Sequence, residues 1–388
     1  MNFSYIDFDD ATKAFYAELM AFLDEHATEE VHDEEHRTGA GLNEGFHHAL
    51  GAKGWILPTW PKDKGGAGLT QLQAAILQRE IRARHLPTIT AGTTQLVLPA
   101  VLQYADQSVQ DEVVPGVAKG GIRFCLGYTE PDNGSDLAGV RTRATQDGDE
   151  WVIDGQKMFT TGAQNCQYAF LLARSNPDKP KHKGLTMFLC PLDGVEIQAV
   201  HTLGGERTNM VFFDGLRISD RYRLGPVDSG WMVLSGPLNA EHGIGRHVEY
   251  ELDSPGGMYA SVGVSAYEHA VDWAAAPGVD GRRPIDDPVV RRRLALAAVD
   301  IEASTVAPGP MGRIVSSETF IRYAEDLISM VGPRGLLPRG EQGAIANGWI
   351  EYAHRFAQGT ATYGGTTDIH RNIIAERILG LPRSTASK

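Results

Sequence analysis

Three groups of residues in this chain have types and spacing that could do chemistry. The first is Glu241, in Leu238-Asn239-Ala240-Glu241-His242, which follows the stretch Gly230–Gly236 and reads as the start of a helical segment. A carboxylate there is either a helix-start acid favoured by the helix dipole or, if enclosed, a general base with a raised pKa. The acids Glu249 and Glu251 read as the solvated face of the same segment, and Glu376 as a surface ion-pairing residue. The second group spans Tyr128–Gly139, YTEPDNGSDLAG, and Trp151–Gly162, WVIDGQKMFTTG. Thr129-Glu130-Pro131 ends a strand, and the five residues from Asp132 to Asp136 form a turn. Gly134 permits close backbone approach, Thr129 and Ser135 offer hydroxyls, and Phe159 offers a flat apolar surface. Taken alone, the first segment is an Asx-rich β-turn. The third group is Tyr363-Gly364-Gly365-Thr366, a glycine pair ahead of the closing helix. A fourth string, His32-Asp33-Glu34-Glu35-His36, matches an H-x-x-E-H zinc pattern. More acids flank it and no third ligand is in view, so it reads as a charged surface run.

The elements that position these groups follow from periodicity. Residues 7–29 carry Phe15, Leu19, Phe22 and Leu23 at helical spacing. Further helices are predicted at about 43–53, 70–84 and 92–119, separated by turns such as the Gly/Pro-rich one at Pro61–Gly66. Short β-rich runs then appear at Ile122–Gly127, Trp151–Ile153, Tyr168–Leu172, Leu185–Leu189 and Met210–Phe213. Their close turn spacing predicts a small antiparallel barrel or sandwich. Helical pattern returns near Gly230, with long Ala/Leu/Val segments at 258–276, 287–306 and 313–331. The expected class is α+β with three domains: an N-terminal helical one at 1–121, a middle β one at 122–228 and a C-terminal helical bundle at 229–388.

Composition narrows the function classes. A chain of 388 residues can bury a large core. A net charge of −13, with no dense basic run, argues against a nucleic-acid surface; Arg291-Arg292-Arg293 reads as a solvated helix face. Cys125, Cys166 and Cys190 are too widely spaced for a disulfide framework or zinc site, and read as buried thiols. The first residues, MNFSYIDFDDATKAF, are acidic and lack the features of a signal or transit peptide. No apolar run reaches the length of a membrane span. A cytoplasmic protein with neither a nucleic-acid nor a membrane partner is expected.

The two β segments together, and Tyr363–Leu381, YGGTTDIHRNIIAERILGL, resemble the acyl-CoA dehydrogenase family. With the helix-β-helix order, the likeness covers nearly the whole chain. It implies the fold just described and FAD as cofactor. Tyr128 and Thr129 would place donors on the flavin pyrimidine edge. Gly134 and Ser135 would line the flavin phosphate and the CoA pantetheine path. Phe159 would stack beside the isoalloxazine where the family usually has Trp, and Thr161 would bond near N5. Thr160, Thr366 and Asp368 complete the implied cofactor set. Many family members carry a catalytic Glu at the position of Gly364. Glu241 matches the place where the isovaleryl and long-chain branches keep theirs, so the resemblance makes Glu241 the base. It leaves the Gly364 N–H as a donor to the thioester oxygen.

The resemblance also shows departures. Homotetrameric members lend a neighbour an Arg from an R-x-x-F-G segment and a Gln from a Q-x-x-G-G-x-G segment to hold the flavin diphosphate and adenine. Here the first region runs from Trp273 to Ile285, with only Arg282 and Arg283 late in it, and the second has Ser329 and Pro333 at key places. That resembles the heteromeric acyl-CoA dehydrogenases of actinobacterial steroid degradation, in which a second, related subunit supplies what is missing. The expectation is therefore a CoA-thioester substrate, a partner subunit and an electron-transfer flavoprotein as acceptor. The rivals are a non-catalytic structural subunit, or an acyl-CoA oxidase or flavin monooxygenase on the same scaffold.

Overall fold

The computed structural model describes residues 7–242, 244, 257–278, 280–307 and 309–382; Glu249 and Glu251 lie outside them. The chain begins with helices α1 (Asp10–His26), α2 (Glu29–Thr38), α3 (Glu44–Ala52), α4 (Gln71–Ala83), α5 (Ile89–Tyr104) and α6 (Gln107–Ala118). Short polar side chains set most of their starts. Asp9, Thr28, Asn43 and Thr70 each accept the backbone N–H three residues on, as N-caps do. The single helix predicted over 92–119 is two helices. Ala105 is extended, and the Asp106 side chain caps the second helix at Ser108 N.

The strands are β1 (Phe124–Gly127), β2 (Arg143–Asp147), β3 (Glu150–Lys157), β4 (Tyr168–Arg174), β5 (Leu185–Pro191), β6 (Glu196–His201), β7 (Arg207–Ser219) and β8 (Arg223–Leu224). They form one sheet in the order β6-β7-β3-β2-β4-β5-β8, with β1 paired to β4. Most ladders are antiparallel, as expected, but β1 and β2 both meet β4 in parallel. Pattern reading missed β2 and β6 because they are largely exposed and lack an apolar face. β4 and β5, by contrast, are buried along nearly their whole length.

The C-terminal part carries α7 (Gly230–Glu241), α8 (Gly257–Ala275), α9 (Pro288–Val306), α10 (Gly309–Val331), α11 (Trp349–Thr360) and α12 (Thr367–Ile373). Helices α8 to α11 pack around α10 through Ala266, Ala270, Phe320, Leu327, Ala353 and Ala357. Small residues on α8 and α11 allow this close approach, and Phe320 and Leu327 fill the space between. A separate core joins α1, α3, α4, α5 and α6 to β1, β4, β5 and α7. Thus α7 is seated on the first two layers, and its last residue, Glu241, is carried toward the third. All three cysteines are buried and free. Among the described residues, no helix is long and apolar enough to cross a membrane, and no cluster of metal-ligating residues occurs.

Candidate active site

Glu241 ends α7 rather than starting a helix. The helix dipole therefore disfavours its charge, opposite to the N-terminal reading. Burial pushes its pKa up to about 7 even though the Arg313 guanidinium pulls it down. Opposite it is Gly364, at φ +55°, where a Cβ would stand 3.3 Å from Glu241 Oε1 and 3.8 Å from its Cγ. The carboxylate thus faces the bare glycine at close to van der Waals distance. A base of this kind must be ionised to work, so kcat/KM is expected to rise with pH through an apparent value near 7. A profile flat from pH 5.5 to 8.5 would remove Glu241 from that role.

The Gly364 peptide is held from several sides. Arg313, buried on α10, donates to Thr360 O at 2.5 Å and to Tyr363 O. His370 Nε2 bonds Gly364 O at 3.1 Å. A carbonyl only accepts, so Nε2 carries the proton; burial keeps this imidazole neutral by lowering its pKa. The His242 ring stands edge-on to His370 at 4.9 Å, and burial holds its pKa down to about 4. Among the described residues the Gly364 N–H has no hydrogen-bond acceptor. Thr366 caps α12 through Ile369 N at 3.2 Å. Asp368 is exposed on that helix and pairs with Arg371 at 3.5 Å.

The second part of the site lies on the sheet. Met158 N donates to Thr129 O at 2.8 Å, joining the two β segments side by side. Phe159 sits in the left-handed region at φ +56° and is 54% exposed. A large aromatic in that backbone conformation, facing outward, is costly unless something stacks on it. Thr160 is buried, its backbone locked to Asn209 in both directions at 3.0 Å, and its hydroxyl has no partner among the described residues. Thr161 Oγ1 meets Thr208 Oγ1 at 3.1 Å. Ser135 is exposed, and a Cβ on Gly134 would touch only Thr129 Cγ2, at 4.0 Å. An exposed ring, unpartnered buried polar atoms at Thr160 and Asn133, and open space over Gly134 fit a flat ligand with a polar edge. Tyr128 links the two parts. Its phenol is buried with no partner among the described residues, and burial together with the nearby Glu241 charge pushes its pKa up.

Sequence reasoning passed over Arg313, His370, Lys157 and the partners of Glu130. Arg313 carried no distinct signal, since its helix also holds Arg322 and the acids Glu318, Glu325 and Asp326. The Lys157–Glu130 pair, 2.8 Å apart and buried, carried none. The His32–His36 string lies on α2. Asp33 pairs with Arg339, while burial raises the Glu35 pKa to about 7. Arg293 pairs with Asp326 at 2.7 Å, so only part of the triple-arginine run is a solvated face.

Protein-family models match three parts of the chain: the acyl-CoA dehydrogenase N-terminal domain over 9–121, its middle domain over 125–216 and its C-terminal domain over 306–379. Acyl-CoA dehydrogenase IpdE1 of Mycobacterium tuberculosis is 32% identical, over 87% of this chain and 88% of that protein. A solved structure described as the Tcur3481-Tcur3483 steroid ACAD superposes with a TM-score of 0.83 at 29% identity, over 98% of this chain and all of that one. The ChsE4-ChsE5 complex from Mycobacterium tuberculosis also superposes at 0.83, with 26% identity over 98% of this chain and 100% of that one.

Proposed function

The chain belongs to the acyl-CoA dehydrogenase family, and we propose that Glu241 is its catalytic base, acting on a bulky or branched, sterol-side-chain-like acyl-CoA. The observation that carries this reading is the carboxylate facing the empty Gly364 position, with a pKa raised to about 7. Dehydrogenation beside a thioester breaks the α C–H bond, with the proton going to a base. It also breaks the β C–H bond, with both electrons leaving as hydride. Glu241 takes the proton. The Gly364 N–H donates to the thioester oxygen as enolate charge develops there. His370 and Arg313 keep that peptide oriented by holding the carbonyls on either side. FAD, when bound, supplies the hydride acceptor. Phe159, Thr160, Thr161, Thr129, Gly134 and Ser135 form the surface that would hold it. A glycine in place of a glutamate side chain leaves room beside the α-carbon, which suits branched acyl groups.

The partner reading rests on surface geometry and on the two heteromeric neighbours. Arg282 is largely exposed beside Asp280, and Arg283 is tied to Asp286 at 2.8 Å. Arg334 donates to Gly343 O, and Ser329 is exposed on α10. None of these arginines replaces the missing donor set as it stands, so a second acyl-CoA dehydrogenase-like subunit is inferred to supply it. Electrons would pass on to an electron-transfer flavoprotein, in the cytoplasm. With its partner, the assembly is expected to hold about one FAD per pair of unlike subunits, and this chain alone to be flavin-poor. Flavin absorbance per chain after co-purification from the host checks this. A stable homotetramer with one FAD per chain would overturn the heteromer.

The test of the base is Glu241→Gln in the full assembly, followed by flavin bleaching with substrate under anaerobic conditions. Unchanged bleaching would move the chemistry elsewhere and favour a structural subunit. Stoichiometric peroxide in air would favour an oxidase.

A further inference from the structure

The turn between β6 and β7 belongs to the part of the chain that carries Phe159 and Thr161, yet it is docked on α11. Arg355, on α11, donates to Leu203 O at 2.7 Å, and a Cβ on Gly204 would stand 3.3 Å from Phe356 Cα. From this turn the Glu206 carboxylate accepts the Tyr363 phenol O–H at 2.6 Å. Tyr363 immediately precedes Gly364. Its ring crosses α11 at Gly359, where any Cβ would collide with the phenol oxygen and ring. Glycine in a helix interior costs about 1 kcal/mol relative to alanine. Here it opens the passage through which the phenol reaches Glu206. A second acid, Glu35 of α2, takes the Gly41 N–H at 2.9 Å, near enough to Glu206 that the two charges interact.

Resting on the reading above, we propose that Glu206 is a positioning residue, acting through Tyr363 to fix the Gly364 N–H relative to the surface formed by Phe159 and Thr161. The geometry requires such a connection. The donor to the thioester oxygen is on the loop after α11, whereas the surface for the hydride acceptor is on the sheet. The two must be registered to a fraction of an ångström, since a misplacement of about 1 Å costs on the order of 10²-fold in rate. Arg313 and His370 hold the Gly364 peptide from α10 and α12 only. Glu206 is the residue in this group that reaches it from the sheet, two residues before Thr208, which bonds Thr161. Its carboxylate is buried, which raises its pKa, and the Tyr363 bond offsets part of that. A buried acid kept for one hydrogen bond across two layers fits a registering role better than a stabilising one.

The test uses the assembly purified with whatever subunit accompanies this chain from its host, loaded with flavin. The probe is a 3-oxoacyl thioester of CoA, whose bound enolate is read by its own ultraviolet absorbance as pH is varied. Polarisation of the thioester oxygen lowers the pKa at which the bound ligand enolises. Tyr363→Phe and Glu206→Leu, which leaves no acceptor for the phenol, are each expected to raise that pKa by about one unit, a tenfold loss of polarisation. They should cut kcat about 10- to 100-fold with little change in KM. Gly359→Ala, which displaces the phenol but keeps its hydroxyl, should behave alike. The Glu206→Leu, Tyr363→Phe double variant should be no worse than Tyr363→Phe alone, because both remove one interaction. An unchanged enolisation pKa in folded, flavin-loaded variants would overturn the positioning role while leaving the base assignment intact. Failure of all three variants to fold would make the contact a stabilising one and overturn the proposal too. If the wild-type assembly does not acidify the ligand at all, the reading of Gly364 as the oxygen-polarising donor falls instead.

Discussion

Replacing Glu241 with Gln is expected to leave folding and flavin content nearly intact and to cut turnover by about 10²–10⁴-fold or more, the range for loss of a general base. The amide keeps the shape and one acceptor oxygen but has no basic site for the α-proton. Stability should move the other way. Burial raises the folded pKa of Glu241 from the ordinary 4.5 to about 7, against the pull of Arg313. Below pH 4.5 the group is neutral in both folded and unfolded chains and contributes nothing. Between 4.5 and 7 the folded chain holds a proton that the unfolded chain releases, so stability falls as pH rises; above 7 the full cost stands. Glu241→Gln removes that cost. Its melting temperature should therefore exceed that of the wild type at pH 8 and converge with it near pH 4. Near wild-type turnover would sink the assignment, and an equal or lower melting point at pH 8 would show that Glu241 is not the strained acid the geometry describes. Moving the base is a harder test. Gly364→Glu with Glu241→Gly places a side chain at φ +55°, which costs a non-glycine residue roughly 1–2 kcal/mol. It should recover only a small fraction of the rate on small straight-chain thioesters and do worse on bulky ones.

Periodicity made the order of layers legible, since it shifts from helical to strand-like near Ile122 and back near Gly230. It also made the two sheet segments and the glycine-bearing signature stand out as strings. The facing of Glu241 and Gly364, 123 positions apart in sequence, depends on where α7 ends against α10 and α12, and no local pattern encodes that. The same limit explains the misread end of α7. Gly230–Gly236 looked like a helix boundary, but Gly230 is buried against Leu185 and Thr186 backbone, and the helix begins there. Strand β6 escaped because it exposes both faces, so there was no alternation to detect. Asp368 was carried over by motif position alone; its exposed side chain pairs with Arg371. Arg313, His370 and Glu206 act on the Gly364 loop from other elements, so their roles exist only once the chain has folded.

The second large effect is expected at Lys157 and Glu130, which join the two sheet segments beneath the proposed flavin surface. Lys157 is fully buried at the end of β3. Its ammonium donates to Glu130 Oε1 at 2.8 Å and to Tyr128 O at 3.1 Å. Glu130 also accepts the backbone N–H groups of Arg141 at 2.6 Å and Thr142 at 2.8 Å. One carboxylate thus closes the turn that carries Gly134 and Ser135, and one ammonium ties its start to the residue two before Phe159. Burial lowers the Lys157 pKa to about 8 against the pull of Glu130. Burial alone would raise that of Glu130, but Lys157 and the donated N–H groups bring it below the ordinary range. At neutral pH the pair is ionised. Lys157→Met leaves a buried carboxylate without its counter-charge and should destabilise by about 3–5 kcal/mol, with release of flavin. Lys157→Met with Glu130→Gln removes both charges and should recover much of that loss, a coupling measurable from urea midpoints across the cycle. The pH dependence gives an independent reading. Glu130, with its folded pKa depressed, contributes stability that is present above the ordinary carboxylate value and lost as pH falls through the folded one. The wild type should therefore lose stability on the acid side of pH 4.5, and the double variant should lack that component of the slope. If Lys157→Met stays within about 1 kcal/mol of the wild type and keeps its flavin, the pair is a packing detail rather than the clamp that shapes the site.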